Sequence, residues 1–352
     1  MRIKDLDVTV NISPEMLNLI AEIDEFKGGW RAFRNLAPER LSQLRWVATV
    51  ESVASSTRIE GSKLSDKEVE TLIGNLRRQS FRTRDEQEVA GYAETMEMIF
   101  ESHASIPLTE NHIRQLHQML LKHSTKDERH RGNYKNAPNH VEARGPDGEM
   151  LGVIIETTSP FDTPREMEAL LRWTNQAFAG RQLHPLLITG VFIVRFLAIH
   201  PFQDGNGRLS RILTMLLLLR QDYAYVPYSS MESIIEQSKE SYYLALRRTQ
   251  STLKGADVNW QPWLDYFLRT LKKQKDNLLI KIEREQVFLS ALPELSVNIV
   301  ELARQQGRIT ATEAELATRA NRHTIKKHLQ KLTQQKVLQS HGRGKATWYT
   351  LI

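Results

Sequence analysis

Two apolar runs, Val191–Ile199 and Leu209–Leu219, enclose a short polar break, and that break most constrains what this chain can fold into. It reads His200-Pro201-Phe202-Gln203-Asp204-Gly205-Asn206-Gly207-Arg208. Asn-Gly between apolar runs would ordinarily suggest a hairpin turn. Both runs are longer than a strand needs, so they read as buried helices and the break as a tight helix–loop–helix junction. A pair of helices this apolar needs a bundle around it. The chain, at 352 residues, is long enough for two or three domains of about 100–200 residues each.

The bundle is visible in the spacing. Apolar residues recur every three or four positions through Leu41–Ile59, Val69–Leu76, Val89–Phe100, Ile113–Leu121 and Met167–Phe178. Ser65-Asp66-Lys67-Glu68 has the form of a capping box, Gly61 stands where a helix C-cap belongs, and Thr109 precedes the Ile113 helix. One internal region reads as strand: Asn139–Arg144 and Met150–Thr157 flank Gly145-Pro146-Asp147-Gly148, a turn sequence. Neither Pro185–Phe202, interrupted by Arg195, nor Ile212–Leu219 reaches the ~20 uninterrupted apolar residues of a membrane span. The N-terminus lacks the apolar core of a signal peptide. The absence of cysteine excludes disulfides, thiolate zinc sites, Fe–S clusters and a cysteine nucleophile, and fits a reducing, cytoplasmic setting.

The charge is uneven. Residues 290–352 carry ten Lys and Arg against four acids, so the whole net charge of +6 lies there. That marks a separate module of a kind that can meet nucleic acid; the plainer alternative is a helical domain with a solvated basic face. Helices over Leu295–Gln305, Thr312–Ala320 and Arg322–Gln335 alternate with strands at Gly307–Ile309, Val337–Ser340 and Thr347–Thr350. Ile325, Leu329 and Leu332 form the buried stripe of the third helix. This order resembles a winged helix-turn-helix, in which Arg322, Lys326 and Lys327 would face duplex DNA from the third helix, and Arg343 and Lys345 from the wing. Winged helices also serve as protein-interaction modules.

The polar break concentrates chemistry. Unpaired N–H groups at the start of the second helix, with Gly205 and Gly207 allowing close approach, make an anion site. Arg208 and Arg211 share one face of its first turns and suit a polyphosphate. Asp204 offers Mg²⁺ (or Mn²⁺) an oxygen ligand, and His200 could take a proton from a hydroxyl. Singly, each has an ordinary structural reading; within twelve residues they are far more specific.

His200–Arg211 matches H-x-F-x-D-G-N-G-R-x-x-R at every specified position, and on these residues the chain resembles the Fic family. The resemblance extends to Gly132-Asn133-Tyr134-Lys135, where Lys135 replaces the usual Arg, to Ser241–Leu246 with its tyrosine pair, and to Trp260-Gln261-Pro262-Trp263. It implies a mainly α fold: a helical bundle with a β-hairpin flap, plus the small C-terminal winged-helix domain. The divisions it suggests are an N-terminal helical region 1–90, a core 91–262, a connecting helix 263–289 and the module 290–352. It implies transfer of AMP from ATP to a Ser, Thr or Tyr hydroxyl of a target protein, itself included. His200 would be the base, Asp204 the metal ligand, and Gly205, Asn206 and Gly207 the anion hole. Arg208 and Arg211 would hold the β- and γ-phosphates, and Phe202 would anchor the loop. The hairpin around Met150–Glu156 would align the target by strand pairing. Tyr243 and Gln250 are candidates for the nucleobase pocket.

Ser56-Thr57-Arg58-Ile59-Glu60-Gly61 resembles the family's inhibitory motif in its N-terminal arrangement, with Ser56, Glu60 and Gly61 at the specified positions. By that resemblance Glu60 would take Arg211 away from the γ-phosphate. Open alternatives are a DNA-binding regulator with the Fic core as sensor, and an enzyme that removes AMP or uses another nucleotide. The target protein is not legible, and a homodimer is compatible with this reading.

Overall fold

The structure is a computed structural model that describes residues 8–33, 38–76, 80–139, 141–144, 150–255, 257–290, 293–335, 337–342, 344 and 347–351. It is mainly helical. It divides into two compact units, Met1–Leu36 with Gln43–Asp276, and Ala37–Ser42 with Asn277–Ile352.

In the first unit the elements run α1 (Pro14–Phe33), α2 (Pro38–Ile59), α3 (Asp66–Gly74), α4 (Arg84–Ser102), α5 (Glu110–Leu120), β1 (Val141–Arg144), β2 (Met150–Ile155), α6 (Thr163–Gly180), α7 (Pro185–Ile199), α8 (Asn206–Arg220), α9 (Met231–Gln237), α10 (Lys239–Gln250) and α11 (Gln261–Ser290), the last continuing into the second unit. The helix starts follow local chemistry. Ser65 and Thr83 close capping boxes with Glu68 and Glu86, and Thr109 accepts the His112 N–H. Proline stands in the first turn of α6 and α7, where no intrahelical N–H is lost. The paired apolar runs are α7 and α8, packed together at the centre and buried almost all round. Around them α4 and α5 approach closely: a Cβ on Gly91 would stand 2.0 Å from the Leu120 carbonyl oxygen, so only glycine fits. The N-terminal helix α1 falls in the expected helical region 1–90, though its bounds were not read there; it buries Met16, Ile20, Ile23, Phe26 and Trp30 at helical spacing.

The expected hairpin is present as the antiparallel pair β1–β2, with Val141 opposite Ile155 and Arg144 opposite Met150. Its turn sequence, 145–149, lies outside the described residues.

The second unit contains α12 (Glu294–Gln306), β3 (Ile309–Thr310), α13 (Ala311–Thr318), α14 (Arg322–Gln334), β4 (Leu338–His341) and β5 (Trp348–Leu351). Its sheet has the order β3-β5-β4, antiparallel throughout. Ile325, Leu329 and Leu332 of α14 are buried against Ile299, Ala303, Ile309 and Leu338.

Candidate active site

The site is built on the left-handed turn that ends α7. His200 caps that helix with φ 53°, its N–H on the Phe196 carbonyl at 2.8 Å. Gly205, at φ 81°, then starts α8, a conformation that costs glycine least. Between them the chain is tied down on both sides. Asn206 folds back so that its side-chain oxygen accepts the Phe202 N–H (2.9 Å) and its amide donates to the Phe202 carbonyl (2.7 Å). Phe202 is fully buried and stacks on His117, ring centres 3.8 Å apart. His117 Nδ1 accepts the Gly132 N–H (2.8 Å), so its proton sits on Nε2 and is donated to the Asp204 carbonyl (3.0 Å).

His200 Nδ1 lies 3.2 Å from the Leu197 carbonyl, which can only accept, so Nδ1 carries the proton and Nε2 keeps its lone pair. Burial, with the Lys135 charge adding to it, pushes this imidazole down to about 4, and it is neutral at pH 7. Lys135 is buried, and its ammonium donates to Asn139 Oδ1 (2.8 Å), Thr157 Oγ1 (3.0 Å) and the Ile199 carbonyl (3.0 Å). Burial alone lowers it to about 8. Asn139 in turn donates to the His200 and Phe202 carbonyls. One side chain thus ties both ends of the hairpin to the residue before the histidine.

The acidic and basic groups of the loop form a closed ring. Asp204 meets Arg84 (3.2 Å) and Arg208 (3.4 Å), and both arginines meet the buried Glu88, at 2.7 and 3.0 Å. Burial raises Asp204, but Arg208, the Gly205 N–H and Arg84 outweigh it and hold the carboxyl below its ordinary value. Among the described residues no cluster of three or more His, Cys, Asp or Glu could cage a metal. Asp204 is one carboxylate, about a third exposed, which fits an ion that brings phosphate and water oxygens as its other ligands.

Arg211 is buried and held through two of its nitrogens. Its Nε donates to Ser56 Oγ (2.8 Å), and its Nη2 donates to the Ser56 carbonyl (2.9 Å) and to Glu60 Oε1 (2.8 Å). Glu60 follows the end of α2, which Arg58 pins to Glu236 and Asp66 and Lys239 caps at the Ile59 carbonyl. Gly61, at φ 109°, turns the chain away. A Cβ on Gly207 would come within 2.3 Å of Glu60 Oε1, so the carboxylate lies against the first turn of α8. Burial raises Glu60, but the Arg211 charge and hydrogen bond prevail and keep it below its ordinary value.

The structure therefore brings Ser56, Glu60, His200, Asp204, Gly205, Asn206, Gly207, Arg208 and Arg211 into one place. Tyr243 packs edge-on against the buried Tyr242 and feels the charges of Glu60 and Arg211. Gln250 lines a separate cavity and donates to the Val194 carbonyl. Arg322, Lys326 and Lys327 are exposed on α14; Arg343 and Lys345 lie outside the described residues. Sequence reasoning missed His117, Asn139, Thr157, Glu88 and Arg84. Each acts through a partner distant in sequence, and none belongs to a local motif.

Residues 107–218 match the Fic/DOC family. The Fic segment includes α5, the hairpin, the whole loop and most of α8. The chain is 27% identical over 202 residues to the protein adenylyltransferase Fic of Drosophila melanogaster, covering 57% of this chain and 37% of that one. It therefore spans just over a third of the length of such curated relatives. A Fic family protein from Desulfovibrio desulfuricans shares the fold over 98% of both chains, with TM-score 0.63 and 24% identity. A Fic domain containing signaling protein from Bacteroides thetaiotaomicron aligns over 73% of this chain and 95% of that one, with TM-score 0.59 and 26% identity.

Proposed function

We propose that the chain is an adenylyltransferase that moves AMP from ATP to a protein hydroxyl, and that its resting form is held back by Glu60. The observation that carries this reading is the neutral His200, with Nε2 free, beside an anion-suited helix start whose Arg211 is held by a carboxylate of the same chain. The relatives named adenylyltransferase and the match to the Fic/DOC family support it.

In this mechanism His200 Nε2 takes the proton of the incoming Ser, Thr or Tyr hydroxyl. The oxygen attacks the α-phosphorus, the α–β bridge breaks, and pyrophosphate leaves. The first-turn N–H groups around Gly205–Gly207 stabilise the charge that builds on the α-phosphate. Asp204 would hold Mg²⁺ (or Mn²⁺), which when bound supplies positive charge against the triphosphate. Arg208 and Arg211 would meet the β- and γ-phosphates, and Tyr243 would bound the nucleobase; Gln250, expected beside it, lines the separate cavity instead. While Glu60 holds Arg211, the γ-phosphate loses its partner and meets a like charge. Replacing Glu60 by Gly should release transfer. The test is to incubate wild type and Glu60→Gly with α-labelled ATP, CTP, GTP and UTP and read label on the protein itself. No label on either form with any nucleotide overturns the proposal.

For the second unit we infer a winged helix-turn-helix that contacts duplex DNA through Arg322, Lys326 and Lys327. The exposed basic start of α14, over a packed three-helix and three-strand core, favours it.

A further inference from the structure

A cavity of about 730 Å³ opens in the first unit beside the hairpin, away from the arginines of the phosphate site. This is the size range, about 300–1,000 Å³, in which proteins take small ligands or side chains. Its walls are the end of α7, the segment from Glu156 into α6, and the end of α10. It reaches Pro138 and Thr157, which flank the hairpin, and Ile199, the residue before His200.

Its charges do not balance. The three acids in the wall are already engaged: Asp162 and Glu166 with Arg165 (3.0 and 3.3 Å), and Glu156 with Lys254 (2.6 Å). Two further guanidiniums line the cavity, Arg195 and Arg247, and neither has an ion-pair partner within 4 Å among the described residues. Arg195 is the one charged residue of the apolar helix α7. It packs over Trp260, its Nε is buried without an acceptor, and it lines the cavity. Burial also lowers its pKa, the Glu166 charge opposing only in part, which is the mark of a cation short of a counter-charge. At the rim, between two lining residues, Phe161 is 91% exposed, an aromatic of the kind that anchors protein contacts.

We propose that this cavity is a recognition subsite for an acidic side chain of the acceptor polypeptide, a few residues from the hydroxyl that receives AMP. The proposal rests on the AMP-transfer reading above and names part of its substrate class. A segment laid along the hairpin edge leads into the cavity at Thr157, which Lys135 bridges to the Ile199 carbonyl just before His200. There a carboxylate would meet both guanidiniums, and an apolar neighbour would cover Phe161. A carboxylate from a polypeptide suits the site better than free nucleotide, because Tyr243 lies outside its wall.

The test uses the full chain and two fluorescent hexapeptides, each with one Ser flanked at both sides by Asp in one and by Asn in the other. Binding is read by anisotropy, which needs no catalysis. Transfer is read separately with the Glu60→Gly form. We expect the Asp peptide to bind and react about tenfold better, in line with a charge-assisted pair, and the preference to shrink in Arg247→Gln and Arg195→Gln. Arg195→Lys guards against loss of packing on Trp260 and should retain part of the preference. ATP affinity should stay unchanged in all three. Equal binding of the two peptides, or a preference that survives both glutamines, overturns the subsite. A fall in ATP affinity gives the cavity to the nucleotide instead and also overturns it. Self-modification of Glu60→Gly separates the two readings: if it fails, the AMP-transfer reading fails, whereas the anisotropy comparison still decides the subsite.

Discussion

The starts of α8 and α14 look alike in sequence and differ in everything else. Each carries cations in its first turns, Arg208 and Arg211 in one, Arg322, Lys326 and Lys327 in the other. Cations near the positive end of a helix are unfavourable unless an anion joins them. In α8 the anions come from the chain itself: Glu88 and Asp204 for Arg208, Glu60 for Arg211, with both guanidiniums almost wholly buried. In α14 only Arg322 has an acid near, Glu315 at 3.5 Å, and Lys326 and Lys327 stand in solvent with no ion pair among the described residues. Burial makes a cation specific, since it must choose one partner and lose it to bind another. Exposure leaves it general and screened by salt.

The largest effect should come from the group the buried site exists to serve. His200→Ala should lower AMP transfer by about 10²–10⁴-fold, as loss of a positioned base does, while ATP still binds. Transfer at the wild-type rate would remove His200 from the mechanism. Next is the choice that Arg211 makes. Glu60→Gln, which keeps shape and removes charge, should raise transfer by about 5–150-fold, the range of a coupling of 1–3 kcal/mol. Arg211→Ala should be inactive with or without Glu60. Without nucleotide, Glu60→Gln should melt earlier than wild type, because Arg211 loses the carboxylate it pairs with, and ATP should then stabilise it more. Equal melting of the two forms would mean that the ion pair carries no weight.

A smaller effect concerns pH. His200 works as a base only when neutral, and burial with the Lys135 charge sets its value at about 4. The acid limb of kcat/KM should therefore fall as pH drops through about 4, not through the usual histidine value near 6.5. Lys135→Met removes a nearby cation and should move that limb upward. A limb at the usual value in the wild type would show that His200 is solvated. The smallest effect belongs to α14. Binding of the full chain to duplex DNA should weaken steeply with salt, and Lys326→Gln with Lys327→Gln should reduce the log–log salt slope by about two. A slope that does not change would place these lysines outside any DNA contact.

Much of this comparison was legible beforehand, and for a physical reason. The twelve residues of the loop are contiguous, so their order alone indicates a helix end, an anion nest and two arginines on one face. The Ser65 capping box and the stripe Ile325, Leu329, Leu332 are equally local, set by three- and four-residue spacing, and the structure has them where they were expected. The expected helices agree with the observed ones to within a few residues at either end. The helix α1 lies within the expected N-terminal helical region, but its bounds were not read, because charges interleave with its apolar positions and its stripe becomes plain only where Met16, Ile23 and Trp30 meet the core.

Partnership over distance was not legible. Glu60 and Arg211 are 151 residues apart and Lys135 and Ile199 are 64 apart. Glu88 sits in a helix of many acids, with nothing local to say that it would be the buried one between Arg84 and Arg208. Arg195 read simply as an interruption of an apolar run. Sequence determines which side chains a helix presents and on which face, because backbone geometry repeats every 3.6 residues. Which charge meets which is decided by how the helices pack. A buried ion costs so much without a counter-ion that the packed chain settles its pairs together, and leaves Arg195, its Nε buried without an acceptor, beside a cavity.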